Sequence, residues 1–425
     1  MTLVDGSSRE NTNLDDSSSD EGGGFRCSPP VIAASVCGGC CCLLLLIFCI
    51  LLYVGSMQVS KASNTSGWHN ASVPPPEFPR YMGCGGCSVG VKDDAAIKKC
   101  VEPCFGLNYV LDWEAFAKSH PYKLVYFPSR PGPRGEPPVN ISAWWLPADT
   151  SRLPPGKIAP RIVVLHGLAS NNNHCGVQSA CYLLRTLGFS CLTPSVRDYG
   201  LSGKSTHPGT LSWAYDYPDD LLGAWDYAVK DPEGKLGGPL PPDQVGIMGF
   251  SKGALATAIA FNLEKRIPGA WIDSAPYTGL FGMIGAFVKP YAGILTPLIR
   301  QPVWWGATMS SPVPLDYYKP VEMFNNCTAP PRRRVAIAHG YTDDTVPIDT
   351  AASAIFEIGA HPDCYDLWLF TPRTHCDGAS HHVEMWQYPT ETRERFCYFW
   401  AHTFGLKHNH YAYCGLDKLP NLTKA

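Results

Sequence analysis

The stretch from Gln244 to Phe261 most constrains how this chain can fold. A short apolar run is followed by Gly249-Phe250-Ser251-Lys252-Gly253 and then by a longer, alanine-rich apolar run. The first run is typical of a buried strand and the second of a packed helix. Glycine two residues before and after the serine permits a turn so tight that Ser251 projects from the end of the strand. The simpler alternative is a buried serine in a glycine-rich turn, and the rest of the chain must decide between them.

Strand-like and helix-like stretches alternate through the body of the chain, after an initial strand pair. The predicted strands are 122–127, 140–146, 161–165, 189–193, 244–248, 270–273, 334–338 and 366–370. The predicted helices are 177–187, 215–229, 252–264, 279–300 (with internal prolines), 349–359 and 390–404. Alternation of this kind requires a mostly parallel sheet with helices on both faces. The expected fold class is therefore α/β, with eight strands.

The composition narrows the possible partners. Of 425 residues, 45% are hydrophobic and 17% are charged, so most of the chain can bury a core. The formal net charge is −3. Because there is no basic surplus, nothing points to nucleic acid as a partner.

The N-terminal region predicts a membrane anchor. Residues 1–30 are polar enough to remain a disordered cytosolic tail, whereas 31–54 carry no charged side chain and are long enough to cross a bilayer. A cleaved signal peptide is the rival interpretation, disfavoured by the long acidic tail in front. A Ser/Asn/Pro-rich stalk follows at 55–82. Glycosylation sequons occur only after the span, which favours a lumenal or extracellular body in the secretory pathway or at the cell surface; they begin at Asn64, Asn70, Asn140, Asn326 and Asn421.

Cysteine usage agrees with that location. Six of the 18 cysteines lie in or beside the predicted span, and the other twelve lie in the body, an even number that suits a disulfide-bonded ectodomain. Four of them form a small module at 83–120: Cys84, Cys87, Cys100 and Cys104. Two disulfides, with three possible connectivities, are expected for this module in an oxidising compartment, and a zinc site is the alternative.

Candidate partners for Ser251 follow later strands. A serine nucleophile requires a histidine to take its proton and a carboxylate to orient that histidine. Strand 334–338 leads to Asp343, with Asp344 as the alternative acid, and strand 366–370 leads to His382, with His381 as the next candidate. His375 lies in the same loop, and no role is expected for it. Because the carboxyl ends of parallel strands share one edge of the sheet, these groups can converge there.

Taken together, these motifs resemble the α/β-hydrolase superfamily, in the branch of serine aminopeptidase-like and prolyl-oligopeptidase-like catalytic domains. The resemblance covers about residues 120–406, and the predicted domain is 121–406, followed by a tail at 407–425. The motifs that carry it, besides the pentapeptide, are His166-Gly167-Leu168, the loop Asp198 to Ser205 (with Gly200 where an arginine is usual), Asp273-Ser274-Ala275-Pro276, His339-Gly340-x-x-Asp343-x-x-Val346-Pro347 and the block starting at His382.

The resemblance implies a serine hydrolase that cleaves an ester, thioester or amide through Ser251, Asp343 and His382. Backbone N–H groups of Lys252 and Leu168 are implied as the oxyanion hole. No cofactor and no metal are implied; the expected partners are a small-molecule, acyl or peptidyl substrate and the membrane. The alternative from another class is a catalytically inactive hydrolase fold used for binding or adhesion.

Several neighbouring residues have simpler expected roles. His166 and His339 are expected to be structural, and Asp198 to tie down its own loop. The Lys252 side chain is expected either to favour acidic substrates or to point to solvent. A small helical cap is expected over the site at 277–326, where Phe281, Phe287, Trp304 and Trp305 either line an acyl pocket or pack the cap.

Overall fold

A computed structural model describes most of the body of the chain. The described residues are 29–55, 122–149, 156–168, 170–172, 175–320, 333–360, 365–371, 381–382, 384–406 and 413–414. The chain divides into two compact units, Met1–Cys49 and Ile50–Ala425. The predicted stalk beyond Gly55, the cysteine module and most of both tails lie outside the described residues.

An eight-stranded sheet forms the centre of the second unit. Its strands are Lys123–Pro128 (β1), Asn140–Leu146 (β2), Arg161–Leu165 (β3), Ser190–Pro194 (β4), Val245–Phe250 (β5), Gly269–Asp273 (β6), Arg334–Gly340 (β7) and Tyr365–Phe370 (β8). The spatial order is β1-β2-β4-β3-β5-β6-β7-β8. β2 pairs antiparallel with β1 and β4, and all other pairs are parallel. The predicted mostly parallel sheet is therefore confirmed.

The described residues form helices of four to 26 residues. They are Pro29–Val54 (α1), Cys175–Thr186 (α2), Tyr217–Lys230 (α3), Lys252–Leu263 (α4), Gly279–Ala292 (α5), Thr296–Ser310 (α6), Ala352–Ala360 (α7), Glu384–Gln387 (α8) and Pro389–Thr403 (α9). Short 3-10 turns stand at Pro242–Gln244, Gly293–Leu295 and Ile348–Thr350.

Two apolar cores lie on opposite faces of the sheet. Alternate residues of β3 divide between them: Val163 and Leu165 join the core with α3 and α4, whereas Ile162 and Val164 join the core with α2 and α9. This division is the consequence of side chains alternating across a strand. Since β3 is buried on both faces, it must be apolar throughout, which is why its sequence is a continuous apolar run rather than an alternating one.

The sheet register brings four strand ends to one edge. Leu165 at the end of β3 pairs with Gly249, Phe250 pairs with Asp273, and Asp273 pairs with Ala338 in β7. The loops that follow these strands therefore emerge side by side. This edge is where the sequence motifs were expected to converge.

The predicted helical stretch 279–300 is two helices rather than one. α5 ends at Gly293, which has a φ of 51°, and α6 starts at Thr296. Glycine adopts this positive φ without the clash that a Cβ would cause, so the chain turns there.

Two helical segments of the described residues are apolar. Within the described residues, the segment that meets the length and composition required of a membrane-spanning helix is Gly279–Ser310. In α1, residues Cys41–Val54 form a shorter apolar helix whose side chains are largely exposed. The predicted anchor at 31–54 is thus helical.

Candidate active site

Ser251 occupies a strained turn between β5 and α4. Its φ of 54° and ψ of −123° are unusual for any residue other than glycine. Such strain persists only where the surrounding structure enforces it. The backbone N–H of Ser251 donates to the carbonyl oxygen of Asp273 at 2.8 Å, which holds the turn against β6.

The flanking glycines make this turn possible. A Cβ at Gly249 would lie 2.5 Å from the carbonyl oxygen of Gly253, and a Cβ at Gly253 would lie 2.2 Å from the carbonyl oxygen of His166. These oxygens belong to the backbone, so moving them to make room for a side chain would cost free energy of folding. The predicted reason for glycine at both positions, a turn with no room for a side chain, is therefore what the structure shows.

The loop after β3 lies directly against the serine. A Cβ built on Gly167 would be 3.2 Å from the Ser251 Cβ and 3.7 Å from its Oγ. His166 fixes this loop: its Nε2 accepts from the Val196 N–H at 3.2 Å, and its Nδ1 donates to the Gly167 carbonyl at 2.9 Å. His166 thus has the structural role expected of it, and Leu168 follows at an exposed position.

Asp343 is the buried carboxylate that follows β7. Its Oδ1 accepts from the N–H groups of Thr345 at 3.0 Å and Val346 at 2.8 Å. Its Oδ2 lies 2.7 Å from Nδ1 of His381. Asp344, the alternative acid, is exposed. One oxygen of Asp343 is thus fixed by backbone donors while the other orients an imidazole.

The histidine on Asp343 is His381, not the expected His382. The two rings are 4.4 Å apart, but His382 has a φ of 39° and its ring lies 5.8 Å from that of Phe250. The contact with Asp343 thus favours His381 over the expected His382 as the candidate base.

Two other expected structural residues behave as predicted. His339 donates from Nε2 to the Val346 carbonyl at 2.8 Å, and burial lowers its pKa. It therefore supports the loop that carries Asp343. Asp198 accepts from both the backbone N–H and the hydroxyl of Ser205, at 2.9 and 2.6 Å, which ties down its own loop.

Lys252 takes neither of its two expected orientations. Its side chain is buried, and Nζ lies 3.9 Å from the centre of the Tyr217 ring, where a cation–π contact forms. Burial lowers the pKa of Lys252 to about 7. The cation therefore faces α3 within the core rather than a substrate or solvent.

A buried carboxyl pair beneath the site was not anticipated. Asp273 and Glu384 are both fully buried, at the end of β6 and the start of α8. Burial raises the pKa of both groups, and the charge of Glu384 raises that of Asp273 further. The Asp273-Ser274-Ala275-Pro276 motif contained half of this pair, but nothing in the sequence linked it to Glu384.

A sizeable cavity lies beside α5 and α6. It measures about 820 Å³ and includes Phe281 and Trp304 in its lining, together with Tyr318 and Lys319. Phe287 and Trp305 are instead exposed on the outside of the cap. Ser251 and His381 are not among the described residues that line this cavity.

A disulfide joins Cys397 in α9 to Cys414 near the C-terminus. Cys181 and Cys191 are buried free thiols. Within the described ranges, no group of three or more His, Cys, Asp or Glu residues is arranged to hold a metal ion.

The eight-stranded sheet and the strained serine turn at the end of β5 define an α/β-hydrolase fold. No family model matches the chain, and no curated protein matches its sequence. Among solved structures, an esterase of Pyrococcus furiosus is 19% identical, with 66% of this chain and 90% of that chain covered and a TM-score of 0.46. An esterase of Butyrivibrio proteoclasticus with ferulic acid bound is 18% identical (61% and 94% covered, TM-score 0.41). A puromycin-hydrolyzing peptidase of Mycobacterium tuberculosis is 16% identical (67% and 40% covered, TM-score 0.46).

Proposed function

We propose that this chain is a serine hydrolase that cleaves an ester, thioester or amide through Ser251, His381 and Asp343. The observation that carries the proposal is the 2.7 Å hydrogen bond between Asp343 and His381, on the same sheet edge as a serine held at a positive φ. A buried carboxylate on one imidazole nitrogen leaves the other nitrogen to act as a base.

The reaction proceeds through an acyl-enzyme. Oγ of Ser251 attacks the substrate carbonyl while His381 Nε2 takes its proton, and Asp343 stabilises the imidazolium that forms. His381 then protonates the leaving group. A water molecule, deprotonated by the same histidine, hydrolyses the ester on Ser251 and restores the free enzyme.

Two backbone N–H groups are proposed as the oxyanion hole. Lys252 is the first residue of α4, so its N–H points out of a helix N-terminus. Leu168 follows Gly167, which lies against Ser251. Donors of this kind typically contribute about 2.7–4 kcal/mol each to transition-state stabilisation.

Fluorophosphonate labelling tests the proposed nucleophile. The probe reacts covalently with an activated serine, so wild-type protein should be labelled and Ser251→Ala should not be. Ser310→Ala, which removes an exposed hydroxyl on the cap, is the matched control and should label normally. Labelling that persists in Ser251→Ala would refute the assignment, and an unlabelled but folded wild type would favour the inactive binding protein.

We further propose that α1 anchors the chain in a membrane as a single-pass span, with the hydrolase body on the lumenal or extracellular side. The support is the uncharged sequence 31–54, the helical conformation of that segment, and the Cys397–Cys414 disulfide. Disulfides persist mainly in oxidising compartments.

A further inference from the structure

The outer surface of the cap is unusually apolar. We use the name cap hairpin for Gly279–Ser310 and the name apolar tip for Tyr291, Ile294, Leu295 and Leu298, which lie where α5 turns into α6. Tyr291 is 93% exposed, Ile294 is 95% exposed and Leu298 is 69% exposed. Large apolar side chains gathered on one protruding turn mark an interaction surface.

The apolar tip and the residues next to it carry no charge. Between Lys289 and Arg300 there is no charged residue. Lys289 is paired with Asp349 of the body at 2.6 Å, and the Arg300 guanidinium lies 4.0 Å from the centre of the Phe281 ring. Both flanking cations are thus engaged by neighbouring groups, and the apolar tip is neutral.

Several polar groups of the turn and of α6 form hydrogen bonds within the cap hairpin. The Gly293 N–H donates to the Lys289 carbonyl, and the Thr296 N–H and hydroxyl both donate to the Gly293 carbonyl, the hydroxyl at 2.6 Å. In α6 the Thr308 hydroxyl donates to the Trp304 carbonyl at 3.0 Å. These particular groups therefore need no water as a hydrogen-bond partner, which lowers the cost of moving the turn into a less polar medium.

The contacts between α6 and the end of α1 favour the lipid bilayer as the partner of the apolar tip. Residues 50–55, at the C-terminal end of the uncharged stretch 31–54 of α1, belong to the same compact unit as the cap. A Cβ at Gly306 would lie 2.0 Å from the Leu52 carbonyl oxygen, and a Cβ at Gly55 would lie 2.0 Å from the Val303 carbonyl oxygen. Backbones this close at small residues are typical of helix pairs in membranes. The cap hairpin therefore contacts the C-terminal end of the proposed span at Leu52 and Gly55.

We propose that the apolar tip inserts into the interface of the bilayer in which the chain is anchored. Tyr291 suits the headgroup level, because it has an apolar ring and a polar hydroxyl. Ile294, Leu295 and Leu298 would lie in the acyl region beneath. The identification of the bilayer as the partner depends on the proposed anchor. The observation that the apolar tip is exposed does not depend on it.

Photo-crosslinking in nanodiscs tests this proposal. Full-length protein is placed in phosphatidylcholine nanodiscs that carry a photoactivatable phosphatidylcholine, and lipid adducts are mapped by mass spectrometry of its peptides. Adducts are expected in the peptide containing residues 290–299 and in the proposed span. The triple variant Tyr291→Ser, Ile294→Ser, Leu298→Ser should lower the tip adducts at least fivefold and leave the span adducts unchanged.

Phe356→Ser is the matched control. Phe356 is 83% exposed on α7, so its replacement also removes an exposed apolar side chain, yet it should not change the tip adducts. Span adducts without tip adducts would overturn the proposal, as would tip adducts that the triple variant leaves unchanged. Tip adducts without span adducts would overturn the proposed anchor alone. Fluorophosphonate labelling of each variant measures separately whether the proposed serine nucleophile is still active.

Discussion

His381 and His382 are adjacent in sequence but have different surroundings. His381 Nδ1 is held by the buried Asp343, whereas the His382 ring lies near Phe250. His381→Ala should therefore reduce kcat by about 10³-fold or more, since the residues of such a triad act as a unit. His382→Ala should retain most activity. Hydrolysis of p-nitrophenyl esters by the two purified variants measures this difference, and the opposite ranking would return the role of base to His382.

The buried Lys252 makes stability depend on pH. Its pKa is about 7 in the folded chain and about 10.5 when unfolded, so between these values the unfolded chain binds more protons and stability rises with pH. Lys252→Met, which retains the backbone N–H, should raise the free energy of unfolding by about 1–4 kcal/mol at pH 7. The gain should shrink toward pH 10.

Urea unfolding in detergent at pH 7 and at pH 9.5 measures this effect. Lys230→Met is the matched control, because Lys230 is exposed at the end of α3 and its replacement should change little at either pH. A Lys252→Met variant that is less stable than wild type at pH 7 would show that the cation–π contact with Tyr217 outweighs the cost of burial.

At the scale of elements, the junction of β5 and α4 has no room for a side chain at Gly253. Gly253→Ala would place a Cβ 2.2 Å from the His166 carbonyl oxygen, which the backbone must move to relieve. We expect a loss of about 3 kcal/mol or more in the free energy of unfolding, measured by thermal or urea denaturation. At Gly132 the new Cβ would meet side-chain atoms of Glu136 rather than backbone atoms, so Gly132→Ala should cost less than Gly253→Ala. Equal losses would show that local crowding does not explain the glycine.

The elements themselves were predictable because their sequence patterns are local. β2 and β3 have the predicted bounds, and α4 ends one residue earlier than expected. Burial on both faces forces a continuous apolar run in β3, which can be recognised without knowledge of the fold. The position of Ser251 was likewise predictable, since the spacing of glycines reflects a steric requirement of the turn itself.

Other features of the site depend on contacts between distant segments. His381 and His382 are adjacent and both follow β8, so the sequence pattern does not show which of them bonds to Asp343. The pairing of Asp273 with Glu384 joins residues more than a hundred positions apart, and the packing of Lys252 on Tyr217 joins α4 to α3. Sequence periodicity carries no information about such contacts, so they appear only in the folded chain.

At the scale of the whole molecule, the compartment that contains the body decides which chemistry the cysteines can undergo. Cys397 and Cys414 are joined across a sequence separation of 17, and closing a loop of this size typically stabilises a fold by about 3 kcal/mol. That contribution is available only where thiols are oxidised. The disulfide and the sequons therefore lead to the same expectation, a lumenal or extracellular body.

Enzymatic deglycosylation tests this orientation on the full-length chain. The side chain of Asn140 is exposed at the start of β2, in an Asn-Ile-Ser sequon, so it remains accessible to a glycan after folding. Protein expressed in a eukaryotic cell should lose apparent mass on treatment, and Asn140→Gln should lose less by one glycan. Asn171→Gln, outside any sequon, is the control and should match wild type. Absence of any shift, together with reduced Cys397 and Cys414 by mass spectrometry, would place the body in the cytosol and would contradict the proposed topology.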